Sequence, residues 1–91
     1  MTASVHLFVD ALDAIENENF NEAVRILTTM IDLYPDPIEE KNKPAVILFL
    51  KHRCQAYFSL DNHKDTLVDL QRLQSLGYKV DDDATLSALL L

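Results

Sequence analysis

Residues 45–60, AVILFLKHRCQAYFSL, follow Pro44 and form the most apolar stretch of the chain. Val46, Ile47, Leu48, Phe49 and Leu50 run without a break, and Cys54, Tyr57, Phe58 and Leu60 follow at helical intervals. A helix that is apolar nearly all round has to be covered on more than one side. The segment is therefore expected in the middle of a layered helical structure. The five residues VILFL alone would suit a buried strand. Pro44 in a first helical turn, and the apolar pattern continuing past Leu50, favour the helix.

A chain of 91 residues allows one small domain with a thin core. Its hydrophobic content of 48% is ample for folding, and a single Gly with three Pro argues against an all-β design. The net charge of -7 opposes phosphate-backbone contacts, so no nucleic-acid partner is expected. The carboxylates are scattered and read as solvated surface. Cys54 is the only cysteine, which leaves no intrachain disulfide and no cysteine-based zinc site. The start of the chain lacks the basic region of a signal peptide, and the longest apolar run is too short to span a bilayer. A soluble intracellular protein, cytoplasmic and without a membrane partner, is expected. The closing Leu89-Leu90-Leu91 is odd for a free terminus and reads as though the chain continues in a longer protein.

Residues 4–17 carry a broad helical apolar face, with Thr2 or Ser4 as cap. A second helix follows Asn19, with Glu22 three residues on in a capping-box-like pattern; its stripe runs from Phe20 to Leu33, and Pro35 stops it. Residues 36–43 are a polar connection. After the central helix, Asp61-Asn62 makes a short turn. A fourth helix then spans about residues 63–75, with Leu67, Val68, Leu70, Leu73 and Leu76 as its stripe and Gly77 as its C-cap. Asp81-Asp82-Asp83 reads as solvation and capping rather than as a metal loop, with Asp83 opening a short closing helix.

A displacement of 43 residues superposes the two halves: Ala23 falls on Thr66, Leu7 on Leu50, Ala11 on Cys54, Ala14 on Tyr57, Leu27 on Leu70 and Asn19 on Asn62. Small residues recur where helices approach closely and large ones where knobs are needed. The expected architecture is all-α, a single domain over residues 1–91. Hairpin one covers residues 3–35, a connection 36–44, hairpin two 45–77 and a closing helix 83–91.

These positions resemble the tetratricopeptide repeat, through Leu7, Ala11, Ala14, Ala23, Leu27 and Pro35 in the first hairpin and Leu50, Cys54, Tyr57, Thr66 and Leu70 in the second. Thr66 replaces the usual Ala, Tyr78 stands at the closing Pro, and the spacing is nine residues longer than the family's roughly 34. The resemblance implies two stacked antiparallel hairpins acting as an interaction module, with a concave surface lined by the first helix of each repeat. Phe8-Val9-Asp10-Ala11-Leu12 also resembles the opening of the repeat domain in a family of cochaperones, where that domain contributes to dimerisation. The family's clamp for acidic chaperone tails would need Lys and Asn where this chain has Phe8, Leu12 and His52, so that mode is disfavoured.

The corresponding face is instead apolar: Val5, Phe8, Leu12, Ile15, Leu48 and Phe58, with Lys51, His52 and Gln55 between them. Two readings stay open. Either the domain's own C-terminal helix covers these residues, or they bind a hydrophobic helix, a peptide or a second copy of the chain. The functional expectation is a non-catalytic scaffold or adaptor with a protein partner; the alternative is a homodimerisation domain of a larger protein. Burial of Leu86, Leu89, Leu90 and Leu91 against a second copy would mark self-assembly, and their use as the chain's own cap would mark a binding module.

No enzymatic constellation is visible. His6, His52 and His63 lie on separate helices, and His52 and Cys54, two residues apart, do not share a helical face. Gly77 alone makes no phosphate-binding loop. No cofactor and no metal is expected.

Overall fold

In the computed structural model, which describes residues 3–89 and the side chains of residues 6–89, the chain is all-α. The helices are α1 (Ala3–Glu16), α2 (Phe20–Ile31), α3 (Lys43–Ser59), α4 (His63–Ser75) and α5 (Ala84–Ala88), with single 3-10 turns at Glu40–Asn42 and Val80–Asp82. No strand occurs among the described residues, so the apolar run VILFL is helical. Pro44 sits in the first turn of α3, where its missing N–H has no intrahelical partner to lose. Consecutive helices pack on one another, α1 on α2, α2 on α3 and α3 on α4.

The two hairpins repeat at a displacement of 43 residues down to individual turn hydrogen bonds. Asn19 N–H donates to Ala14 O and Asn62 N–H to Tyr57 O; Glu18 N–H donates to Ile15 O and Asp61 N–H to Phe58 O. Glu18 and Asp61 both take the left-handed conformation, with φ of 60°. That conformation ends the first helix of each pair and reverses the chain in two residues. Gly77 follows α4 with φ of 89°, a backbone that strains any residue with a Cβ.

The core is built from the equivalent positions of both hairpins. Leu27 and Leu70, Met30 and Leu73, Ala11 and Cys54, and Ala23 and Thr66 are all buried. Val46 and Leu50 of α3 lie among them, covered by α2 and α4, which answers the demand of an all-round apolar helix. A satellite cluster of Ala14, Ala23 and Ala56 lets α1, α2 and α3 approach closely. Arg53 of α3 crosses this layer, forming a two-point ion pair with Asp69 of α4 and donating to Thr28 Oγ1 of α2 at 3.1 Å.

Several expectations are corrected. Leu67 and Val68 are not core: they are 47% and 52% exposed, and the buried stripe of α4 is Thr66, Asp69, Leu70 and Leu73. Two polar residues take core places because each is satisfied, Thr66 Oγ1 by Asn62 O and Asp69 by Arg53. α2 ends at Ile31, before Pro35, and Leu33 is exposed. Asn19 stands at the N-cap of α2 without a side-chain bond, and Glu22 pairs with Arg25 rather than completing a capping box; of the two repeat-equivalent caps the bond forms at Asn62, which accepts from Asp65 N–H. Ser4 lies within α1, and Thr2, Leu90 and Leu91 fall outside the described residues.

Candidate functional site

The face proposed from the sequence lies on α1 and α3. On α3, Leu48, Lys51, Gln55 and Phe58 follow one another at three- and four-residue steps, with His52 four residues from Leu48 and three from Gln55, so the five share a side of the helix. Phe8, Leu12 and Ile15 do the same on α1. The side chain of Val5 lies outside the described ones.

Six of the nine residues separate into three groups; of the rest, His52 and Gln55 are half-buried, and Val5 has no described side chain. Leu12, Leu48 and Phe58 are presented to solvent, at 37%, 39% and 37% exposure, and Phe58 also meets His63 edge-on with ring centroids 5.6 Å apart. Phe8 and Ile15 are half-buried and work inside the domain. The Phe8 ring lies 5.6 Å from both Phe49 and His52, bridging α1 to α3, and Ile15 packs on the alanine cluster. Lys51 is engaged by the C-terminal segment. Its Nζ is 3.5 Å from Asp83 and 5.1 Å from the centre of the Tyr78 ring, while the Tyr78 hydroxyl donates to Asp83 at 2.6 Å.

That segment also closes the core. Asp83 caps α5 by accepting from the Thr85 and Leu86 N–H groups, and Leu86 is fully buried within its own chain, with Val80 beside the same core and Leu89 packed against it. The leucine-rich end is thus the domain's own cap as far as Leu89. It leaves Leu12, Leu48 and Phe58 uncovered.

The electrostatics follow from these contacts. The Tyr78 hydroxyl first, and then the Leu86 N–H and Lys51, hold the Asp83 carboxyl below its ordinary value against a smaller effect of burial. Tyr78 and Asp83 together push Lys51 upward against its burial. Burial, and then the Lys51 charge, lowers His52. Cys54 lies off this face: its thiol donates to Lys51 O and is pushed up to about 12, first by burial and next by Asp69. It is a buried core side chain whose thiol stays protonated near neutral pH.

Among the described residues, no group of three or more His, Cys, Asp or Glu side chains converges in a way that could hold a metal ion. No helix there is long and apolar enough to cross a membrane. A shallow open pocket of about 300 Å³ lies in the loop after α2, lined by Leu33, Tyr34, Pro35, Pro37, Ile38 and Asn42 among others. Asp36 of this loop is tied to Arg72 of α4 at 3.0 Å.

Three features of the surface escape a sequence reading: Val9 at 48% exposure, the Leu67–Val68 pair and the Lys51 latch. For Val68 and Thr66 a signal existed. The 43-residue displacement places Val68 over the exposed Arg25 and Thr66 over the fully buried Ala23, while Leu67 falls on the partly covered Val24 and carries no such signal. Comparison of the chain with protein-family models, with curated proteins and with solved structures finds no match in any of the three.

Proposed function

We propose that the chain is a non-catalytic protein–protein interaction module of the tetratricopeptide kind, which binds a protein partner, a helix or peptide, through the outer face of α1 and α3. The observation that carries this reading is the division of labour among the leucines and aromatics. Leu86 is spent on closing the chain's own core, while Leu12, Leu48 and Phe58, on the first helices of both hairpins, stay more than one third exposed. Full burial of one such side chain is worth about 1.5–3 kcal/mol, so the remaining exposed part of three of them is a useful anchor for a partner. The use of Leu86 as the chain's own cap favours this reading over the alternative, a homodimerisation domain.

The test is affinity capture with the wild-type chain and with a Leu48→Glu/Phe58→Glu variant of unchanged helicity. Partners held by this face are lost from the variant. The same partners captured equally by both proteins would overturn the reading.

A further inference from the structure

Phe8 and Lys51 occupy equivalent positions in the two hairpins, and each reaches to the next element along the stack. Phe8 of α1 lies against Phe49 and His52 of α3, and Lys51 of α3 lies against Tyr78 and Asp83 ahead of α5. Residues 78–89 therefore stand where the first helix of a third hairpin would stand. They fill that place only in part, since α3 has 17 residues and α5 has five.

The shortfall is visible on α4. Val24, Thr28 and Ile31 of α2 are covered by the neighbouring helix: Val24 packs in the cluster with Ala56, Thr28 accepts from Arg53, and Ile31 is buried in the main core. Their equivalents on α4 are Leu67, Gln71 and Gln74, and all three are exposed, with the exposed Val68 beside them. The surface also carries few carboxylates of its own. α4 carries two carboxylates; Asp65 is bonded to Asn62 and Asp69 to Arg53, while the exposed Lys64 adds a positive charge to the stripe.

We propose that Lys51 together with the Leu67, Val68 and Gln71 stripe is a docking surface for an amphipathic helix from another protein, and that residues 78–89 occupy part of it as a replaceable self-ligand. The partner helix carries a carboxylate cap, which takes the place of Asp83 on Lys51. A leucine three residues later replaces Leu86, and further apolar turns cover Leu67 and Val68. The longer helix gains the burial that α5 leaves unmade. It competes with a tethered segment whose effective concentration is in the millimolar range, so loosening that segment raises its affinity. The inference rests on the reading of the chain as a partner-binding module; it shares Lys51 with the α1–α3 face, but its apolar part lies on α4 rather than on Leu12, Leu48 and Phe58.

The test uses the full chain and a fluorescent peptide of the residue 78–91 sequence extended by a second copy of residues 84–91, followed by anisotropy. Leu86→Ala, which loosens the self-ligand, is expected to bind the peptide about tenfold more tightly than wild type. Adding Lys51→Glu or Leu67→Glu to that background removes about tenfold of the binding. Equal affinity of Leu86→Ala and wild type, or indifference to Leu67→Glu, overturns the proposal. Dimerisation of Leu86→Ala that Leu67→Glu abolishes also overturns it, because the occupant is then a second copy. Should Leu86→Ala lose its helicity, Tyr78→Phe removes the hydroxyl bond to Asp83 and loosens the self-ligand while keeping the ring in place, and the same comparison decides. Failure here leaves the α1–α3 face standing, since its variants leave α4 and residues 78–89 unchanged.

Discussion

Arg53 and Asp69 face each other as a two-point ion pair, Nε to Oδ2 at 2.9 Å and the second nitrogen to Oδ1 at 2.6 Å, with Asp69 almost wholly buried. The same guanidinium holds Thr28, so one side chain ties three helices. Removing one partner of such a pair leaves an uncompensated charge inside the domain. Asp69→Ala is expected to destabilise the chain by about 3–5 kcal/mol in urea unfolding. Replacing Arg53 and Asp69 together by Met and Leu should cost much less, because no charge is stranded.

The exposure of Leu67 and the burial of Leu70 predict opposite outcomes for neighbouring leucines of one helix. Leu70→Ala should cost about 2–5 kcal/mol by opening a cavity between α2, α3 and α4. Leu67→Gln should stay within about 0.5 kcal/mol of wild type. Two urea curves recorded under one condition decide this.

Those leucines also show what was legible in the residues and what was not. The helices, the 43-residue repeat, the turn at Asp61-Asn62, the role of Gly77 and the closing helix after Asp83 all follow from local pattern, because capping and turn chemistry act within a few residues. The stripe of α4 was misread because periodicity weighs apolarity alone. Thr66 and Asp69 are buried through bonds to Asn62 and Arg53, and a partner 16 residues away leaves no mark on the local pattern. The candidate face was legible as a set of positions. Which members are presented and which are engaged was set by the packing of Phe8 on Phe49 and by the latch of Asp83 on Lys51.

Acid should weaken the domain in two steps. His52 is lowered from 6.5 in the folded chain, so the unfolded chain binds its proton more readily; the stability tied to neutral His52 is full above pH 6.5 and falls as pH drops through the folded value. Asp83 is lowered from 3.8, so its contribution is present above that pH and is lost as pH falls through the depressed value. Unfolding curves should show the first loss abolished in His52→Gln and the second reduced in Asp83→Asn. An NMR midpoint for His52 at or above 6.5 would contradict the first step.

The Cys54 thiol, fully buried and pushed up to about 12, should resist a thiol reagent in the native state at pH 8. It should react stoichiometrically once the chain is unfolded in urea. Rapid native labelling would mean that α3 is not covered as described.

The most direct test of the central claim, that the α1–α3 face is presented to a different protein, is the solution mass of the 91-residue chain by light scattering over a tenfold concentration range. With Leu86 closing its own core, the mass should stay at 10.4 kDa throughout. A stable species of twice that mass would contradict the account and assign Leu12, Leu48 and Phe58 to contacts between copies.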